Sequence, residues 1–242
     1  MLIFNIQIMS NLLKIQNTNE IIIPQNIFQT WHTKLLPPLM FNAVKKIRKN
    51  NPRFNYKLFD DNECREFIKQ NFRSDVLDAY DRLIPGAYKA DLWRYCVLFI
   101  HGGIYLDIKY MPNKGFKFIK LCTQEHFVLD ADGSGIYNAF IVALPGNRIL
   151  FRAIRQIVSN VQNKYYGESS LYPTGPKLLP NFISLNNKIV DMKHDLINEN
   201  NKFIYYNGVP IIRSYNGHKT ENIQTSILPH YSILWEKRQI YR

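Results

Sequence analysis

Between Ala90 and Ile100 almost every residue is apolar or aromatic, and two glycines, Gly102 and Gly103, follow directly. A helix this apolar on most sides belongs inside a sizeable α/β core, because it has no broad polar face to turn toward water. Asp91 and Arg94 interrupt it. Three residues apart, they share one face, and His101 falls about two further turns along the same stripe. Burying an ionised side chain is costly unless it is paired or meets a polar ligand. The two charges can pair with each other or meet a ligand, and the spacing leaves both readings open.

Gly102-Gly103 ends the helix, since glycine tolerates a left-handed cap and a tight reversal. Ile104 to Tyr110 then alternates as a strand, with Tyr105, Asp107 and Lys109 on one face and Ile104, Leu106 and Ile108 on the other. Charged residues therefore gather at the carboxyl end of a strand, the edge where open α/β sheets bind ligands.

The run Lys89-Ala90-Asp91-Leu92-Trp93-Arg94-Tyr95, followed by Gly102-Gly103-Ile104-Tyr105-Leu106-Asp107, resembles the core of the DXD-motif sugar-transferring family. This is the yeast α-1,6-mannosyltransferase-like group of glycosyltransferases (family 32), of GT-A fold. Ile23-Pro24 with Gln29-Thr30-Trp31 resembles the opening strand of the same family. The resemblance implies an α/β fold of GT-A type, with a mostly parallel central sheet flanked by helices in a single Rossmann-like nucleotide-sugar-binding domain over residues 21–242, after a lead-in over 1–20. It implies a retaining transferase that moves a hexose from a UDP- or GDP-sugar to a saccharide acceptor. Front-side attack assisted by the departing phosphate is the implied route, and no residue is named as a nucleophile.

By resemblance, Asp91 would accept hydrogen bonds from donor-sugar or ribose hydroxyls, and Arg94 would reach the sugar or diphosphate. Thr30, Trp31, Gly103, Tyr105, Asp107 and Trp235 would complete the donor site. Asn138 and the Thr174-Gly175 turn would face the acceptor. Asp107 and His230 would hold Mn2+ or Mg2+, the fixed positive charge that a departing diphosphate needs. The family usually shows Asp-x-Asp at the strand end, whereas this chain has Asp107-Ile108-Lys109. Lys109 places an ammonium group where a second metal carboxylate would stand, able to pair with Asp107 or touch the diphosphate, which implies weaker metal dependence. The same departure supports an alternative, a degenerate relative that binds nucleotide-sugar or glycan without transfer.

Some of these residues have plainer readings from the sequence alone. Trp31 can be a core aromatic and Asn138 a satisfied strand amide; Asp61, which resembles the family's acidic residue after the second strand near the nucleotide, can be part of a helix cap, with Asp60-Asp61 opening a helix through Ile68.

The chain's 242 residues suit one α/β domain, and 46% hydrophobic with 14% aromatic residues supports a folded globule. A net charge of +12 permits anionic ligands but also fits solvated lysines in an Asn- and Ile-rich chain. No arginine-rich block, zinc spacing or nucleic-acid motif supports DNA or RNA binding. No Gly-x-Gly-x-x-Gly follows the first strand, which argues against a dinucleotide-binding oxidoreductase. Cys64, Cys96 and Cys122 cannot all pair internally and lack metal spacing, which fits a reducing, cytoplasmic setting. Asn5, Gln7, Ser10 and Asn11 interrupt the opening residues, and no apolar run reaches the length of a transmembrane helix.

Along the rest of the chain, helices are predicted over Leu39 to Arg48, Phe72 to Leu83, Ile149 to Tyr165 and Asn186 to Glu199, with another starting after Pro176. Strands are predicted over Tyr56 to Phe59, Phe127 to Asp130, Ile136 to Leu144, Phe203 to Tyr206 and Val209 to Ile212, the last two joined by Asn207-Gly208.

Overall fold

The computed structural model describes residues 20–198 and 201–242; the lead-in expected over 1–20 lies outside the described residues except for Glu20. Nine strands form one sheet in the order β2-β1-β3-β6-β5-β7-β8-β9-β4. They are β1 (Asn26–Thr30), β2 (Asn55–Phe59), β3 (Gly103–Leu106), β4 (Tyr110–Pro112), β5 (His126–Leu129), β6 (Ile136–Ala143), β7 (Val190–Asn198), β8 (Asn201–Tyr206) and β9 (Val209–Ser214). Pairing is parallel across β2, β1 and β3 and between β5 and β7, and antiparallel elsewhere. The expected parallel pairing thus occupies one end of the sheet and the β5–β7 junction, and the rest is antiparallel, because short reversals such as Asn207-Gly208 can join only antiparallel neighbours.

The helices are α1 (Pro38–Asn50), α2 (Asp61–Asn71), α3 (Ser74–Arg82), α4 (Gly86–His101), α5 (Arg148–Gln162), α6 (His218–Thr225) and α7 (Tyr231–Glu236). Asp60 caps α2 through a full capping box with Glu63, as the sequence suggested. The sheet is covered on both faces. Phe28, Tyr105, Phe127 and Ile141 pack with α3, α4 and α5, while Ile27, Ile104, Leu106 and Val142 pack on the side of α1. α4 is apolar nearly all round because it lies against the sheet beneath other helices, with Leu92, Trp93, Tyr95, Cys96, Val97 and Leu98 buried.

The strand predicted over Ile104 to Tyr110 is two strands. β3 stops at Leu106, and Asp107, Ile108 and Lys109 form a turn closed by Tyr110 N–H donating to the Asp107 carbonyl at 2.9 Å. β4 then pairs with β9 at the far end of the sheet order. Three residues reach only about 10 Å. The sheet must therefore curl until its last strand stands next to the end of β3.

The helix predicted over Asn186 to Glu199 is strand β7, where Met192 and His194 are buried and Lys193 and Asp195 exposed, a period of two. The helix expected to start after Pro176 is only a short 3-10 turn over Leu179–Asn181, with β7 next in the chain. His101 lies at the end of α4 away from Asp91, its ring stacked on Phe28 at 6.0 Å, and does not continue the Asp91–Arg94 stripe.

The glycine corner carries the turn from α4 into β3. Gly103 has φ +118°, and a Cβ there would lie 2.7 Å from the Asn26 carbonyl oxygen of β1. Gly103→Ala is expected to cost about 3 kcal/mol, from strain and from loosened β1–β3 pairing. A melting curve within a degree of wild type would contradict that account.

Candidate active site

The two charges on α4 are almost sealed, with Asp91 7% and Arg94 4% exposed. Arg94 bridges two carboxylates: Nη2 lies 3.1 Å from Asp91 Oδ1 and 3.3 Å from Asp107 Oδ1. Its Nη1 donates to the Asn138 carbonyl at 2.8 Å, and the guanidinium sits 4.5 Å over the Tyr105 ring. The Asp91–Arg94 pair left open by the spacing is thus real, but it is one half of a larger knot that reaches the end of β3.

Asp91 is held on every side. Asn138 Nδ2 donates to Oδ1 at 2.9 Å and Thr174 Oγ1 donates to Oδ2 at 2.7 Å. The same Asn138 amide donates to the Tyr95 hydroxyl, which donates to the Thr174 carbonyl. Gly175 packs so closely that a Cβ there would meet Asp91 Oδ2 at 3.6 Å. Asn138, Thr174 and Gly175, expected to face an acceptor, are therefore gathered around Asp91 as its buried supports.

Asp107 is the part of the knot that reaches water. Tyr105 Oη donates to Oδ1 at 2.9 Å and Lys109 Nζ to Oδ2 at 2.8 Å, with the side chains of Asp107 and Lys109 22% and 27% exposed. Tyr105 and Asp107 share a face as predicted. Lys109 reaches the same carboxylate from the far side of the turn.

The remaining expected donor residues divide. Thr30 ends β1 and Trp31 follows it; the register of β1 with β3 continues to Thr30 beside Asp107, and Gln29 Nε2 donates to the Asp107 carbonyl at 3.3 Å. The Thr30 hydroxyl, however, donates to the Phe59 carbonyl, and Trp31 packs partly into the core under α1. Gly103 opens β3 at the end away from Asp107. Trp235 lies on α7, its indole N–H donating to the Tyr166 carbonyl at 2.7 Å.

Burial would raise the Asp107 carboxyl, but Lys109 and Arg94 outweigh it and hold it below the usual carboxylate range. Asp91 goes the other way: burial pushes it up to about 6 against the pull of Arg94 and the Thr174 hydrogen bond. Between about pH 4 and 6 the folded Asp91 keeps a proton that the unfolded chain has lost, so its contribution to stability falls as pH rises through that window. The melting temperature of Asp91→Asn minus that of wild type is expected to increase from pH 4.5 to 6.5. A flat difference would contradict the raised value.

Several residues here were not singled out in the sequence. The Tyr110 and Tyr137 hydroxyls lie 2.7 Å apart, and Lys109 Nζ stands 5.3 and 5.6 Å from the two rings. Tyr137 stacks on His194 at 3.7 Å, and His194 Nδ1 lies 3.2 Å from Asp130 Oδ1. Asp130 follows β5 at the same sheet edge as Asp107, a position that strand alternation could have revealed once β7 was read as a strand.

The side chains do not fit a divalent-metal shell on Asp107 and His230. Both Asp107 oxygens are already engaged, and His230 caps α7, its Nδ1 lying 2.8 Å from the Ser232 hydroxyl. Among the described residues no group of three or more His, Cys, Asp or Glu could hold a metal ion. Two cavities, of about 350 and 420 Å3, lie elsewhere, one lined by Asn160 and Tyr172 and the other by Arg48 and Tyr56. Neither includes a carboxylate, so the charged edge at Asp107 is the stronger candidate.

Among curated relatives, inositol phosphoceramide mannosyltransferase 3 of Schizosaccharomyces pombe is 30% identical over 188 residues, 74% of this chain and 52% of that protein. An uncharacterized glycosyltransferase of Acanthamoeba polyphaga mimivirus is 36% identical over 94 residues, 38% of each chain. The chain thus spans about half the length or less of these relatives. Among solved structures, the PaToxG glycosyltransferase shares the fold at a TM-score of 0.52 and 20% identity, over 69% of this chain and 72% of that one. The family model described as "Glycosyltransferase sugar-binding region containing DXD motif" matches residues 37–128, which include α4, β3 and Asp107. This chain therefore carries a glycosyltransferase sugar-binding region of the DXD-motif family, with Lys109 standing where the second acid of that motif is expected.

Proposed function

We propose that this chain transfers a hexose from a nucleoside-diphospho-sugar to a hydroxyl of a saccharide-bearing acceptor, with retention at the anomeric carbon. The observation that carries the proposal is the Asp91–Arg94–Asp107 bridge, which fixes a carboxylate and an ammonium group at the carboxyl end of β3. In that reading Asp91 is a positioning residue: sealed among Arg94, Asn138 and Thr174, it orients Arg94, and Arg94 in turn orients Asp107. Asp107 and Lys109 are the groups that touch the donor, Asp107 at its hydroxyls and Lys109 at its diphosphate.

The step breaks the bond between the anomeric carbon and the diphosphate oxygen while the acceptor oxygen bonds to the same carbon from the same side. The acceptor proton passes to the departing phosphate. Fixed positive charge beside that phosphate lowers the barrier because negative charge grows there.

The fission-yeast relative is named for mannosyl transfer to inositol phosphoceramide, which makes mannose the first sugar and an inositol-phosphoryl lipid the first acceptor to try. No helix among the described residues is long and apolar enough to cross a membrane, and Cys64, Cys96 and Cys122 are buried free thiols. The thiols support our reading of a reducing, cytoplasmic setting.

Release of nucleoside diphosphate from GDP-mannose and a panel of UDP-sugars, with and without acceptor, tests the proposal. Turnover in wild type that falls at least about a hundredfold in Asp107→Asn supports it. A chain that binds donor and never turns it over is instead a sugar-nucleotide-binding relative, the reading that Lys109 in place of a second acid also favours.

A further inference from the structure

The knot around Asp107 is electrically closed: Asp91 and Asp107 balance Arg94 and Lys109. A diphosphate brings about two further negative charges. Neutralising them needs cations beyond this quartet, and the side chains present do not make a metal shell.

The curl of the sheet brings other cations to this place. Tyr110 of β4 pairs with Ser214 of β9, and the Lys202 N–H of β8 donates to the Ser214 hydroxyl at 3.1 Å. The row Tyr110, Ser214, Lys202 thus crosses three neighbouring strands and sets Lys202 at the same sheet end as Lys109. The Lys109 carbonyl accepts from Tyr215 N–H at 3.0 Å, and Tyr215 is followed by the Gly217 turn that opens α6 with His218 and Lys219. Lys109 on the β3–β4 turn and Lys202 on β8 thus stand at the end of β3, with Lys219 in the first turn of α6 just beyond Tyr215. Burial and the charges of Lys109 and Lys219 together hold Lys202 below the usual lysine range, which fits cations crowded at one place. His218 and His230 are likewise depressed, by burial and by neighbours that include Lys109 and Lys202.

Resting on the donor reading above, we propose that Lys109, Lys202 and Lys219 form the diphosphate site of this chain and take the place of a divalent cation there. Lys109 exchanges its Asp107 partner for a phosphate oxygen, while Lys202 and Lys219 approach the diphosphate from the β8–β9 side. Asp130, held by His194 beside this edge, limits the excess positive charge when no anion is bound.

The test is isothermal titration of the purified chain with UDP and with GDP, in EDTA and in Mn2+. The account expects binding in EDTA within about threefold of that in Mn2+. It also expects about a tenfold loss in each of Lys202→Met and Lys219→Met, and marked weakening from low to high salt. Methionine keeps the apolar stem of Lys202, and thermal melting of both variants checks that the fold is intact. Binding that appears only with Mn2+, and is unmoved by either lysine change, would overturn this proposal and leave the donor reading standing. Binding of neither nucleotide under either condition would overturn both.

Discussion

Arg94→Ala is expected to lower the melting temperature by about 10 °C and to remove measurable transfer. The guanidinium is the only cation within ion-pair distance of Asp91 among the described residues, and it is one of two at Asp107. Removing one partner of a buried ion pair costs about 3–5 kcal/mol, because the carboxylate left behind stays desolvated. In a chain of this size each kcal/mol is worth about 2–4 °C. Arg94→Lys should recover little, since an ammonium group cannot span two carboxylates and a carbonyl as the planar fork does. The double change Arg94→Met with Asp91→Asn should melt above Arg94→Ala, having removed the orphaned charge, yet remain inactive. If Arg94→Ala alone melts like wild type, the bridge is not what holds the end of β3.

Lys109→Asp should reverse the chain's metal response. The substitution recreates the Asp-x-Asp spacing that the family usually shows. It removes the ammonium group 2.8 Å from Asp107 Oδ2 and puts a like charge beside that carboxylate. Nucleoside-diphosphate binding in EDTA should fall by at least about tenfold, with Mn2+ now restoring it, because two carboxylates and a diphosphate can share a hard cation. The Asp107 carboxyl, no longer held down by Lys109, should titrate higher. If the variant binds nucleotide in EDTA as wild type does, Lys109 has no part in diphosphate binding.

Much of this site was legible along the chain because the residues that build it are local. Asp91, Arg94, the glycine corner and Asp107 occupy a single helix–turn–strand unit, where a helical spacing and a strand spacing dictate which side chains meet. Of the two readings the spacing left open, internal pairing is what the structure shows, and Arg94 pairs with Asp107 as well as with Asp91. The resemblance points Asn138 and Thr174 at an acceptor, whereas the structure turns them inward to Asp91, a direction that residue type does not encode. Lys202 and Asp130 escaped notice because the curl of the sheet and the register of β8 against β9 place them there, and both are long-range facts. The misread helix over Asn186 to Glu199 hid β7, whose nine residues include so many polar ones that the period-two signal is weak.

The most direct test of the account is a structure of this chain with a nucleoside-diphospho-sugar bound. The account predicts the diphosphate within hydrogen-bond distance of Lys109 Nζ at the end of β3, with the sugar against Asp107. A donor seated instead in the polar cavity beside Asn160 and Tyr172, with the Asp107–Lys109 pair intact, would contradict it.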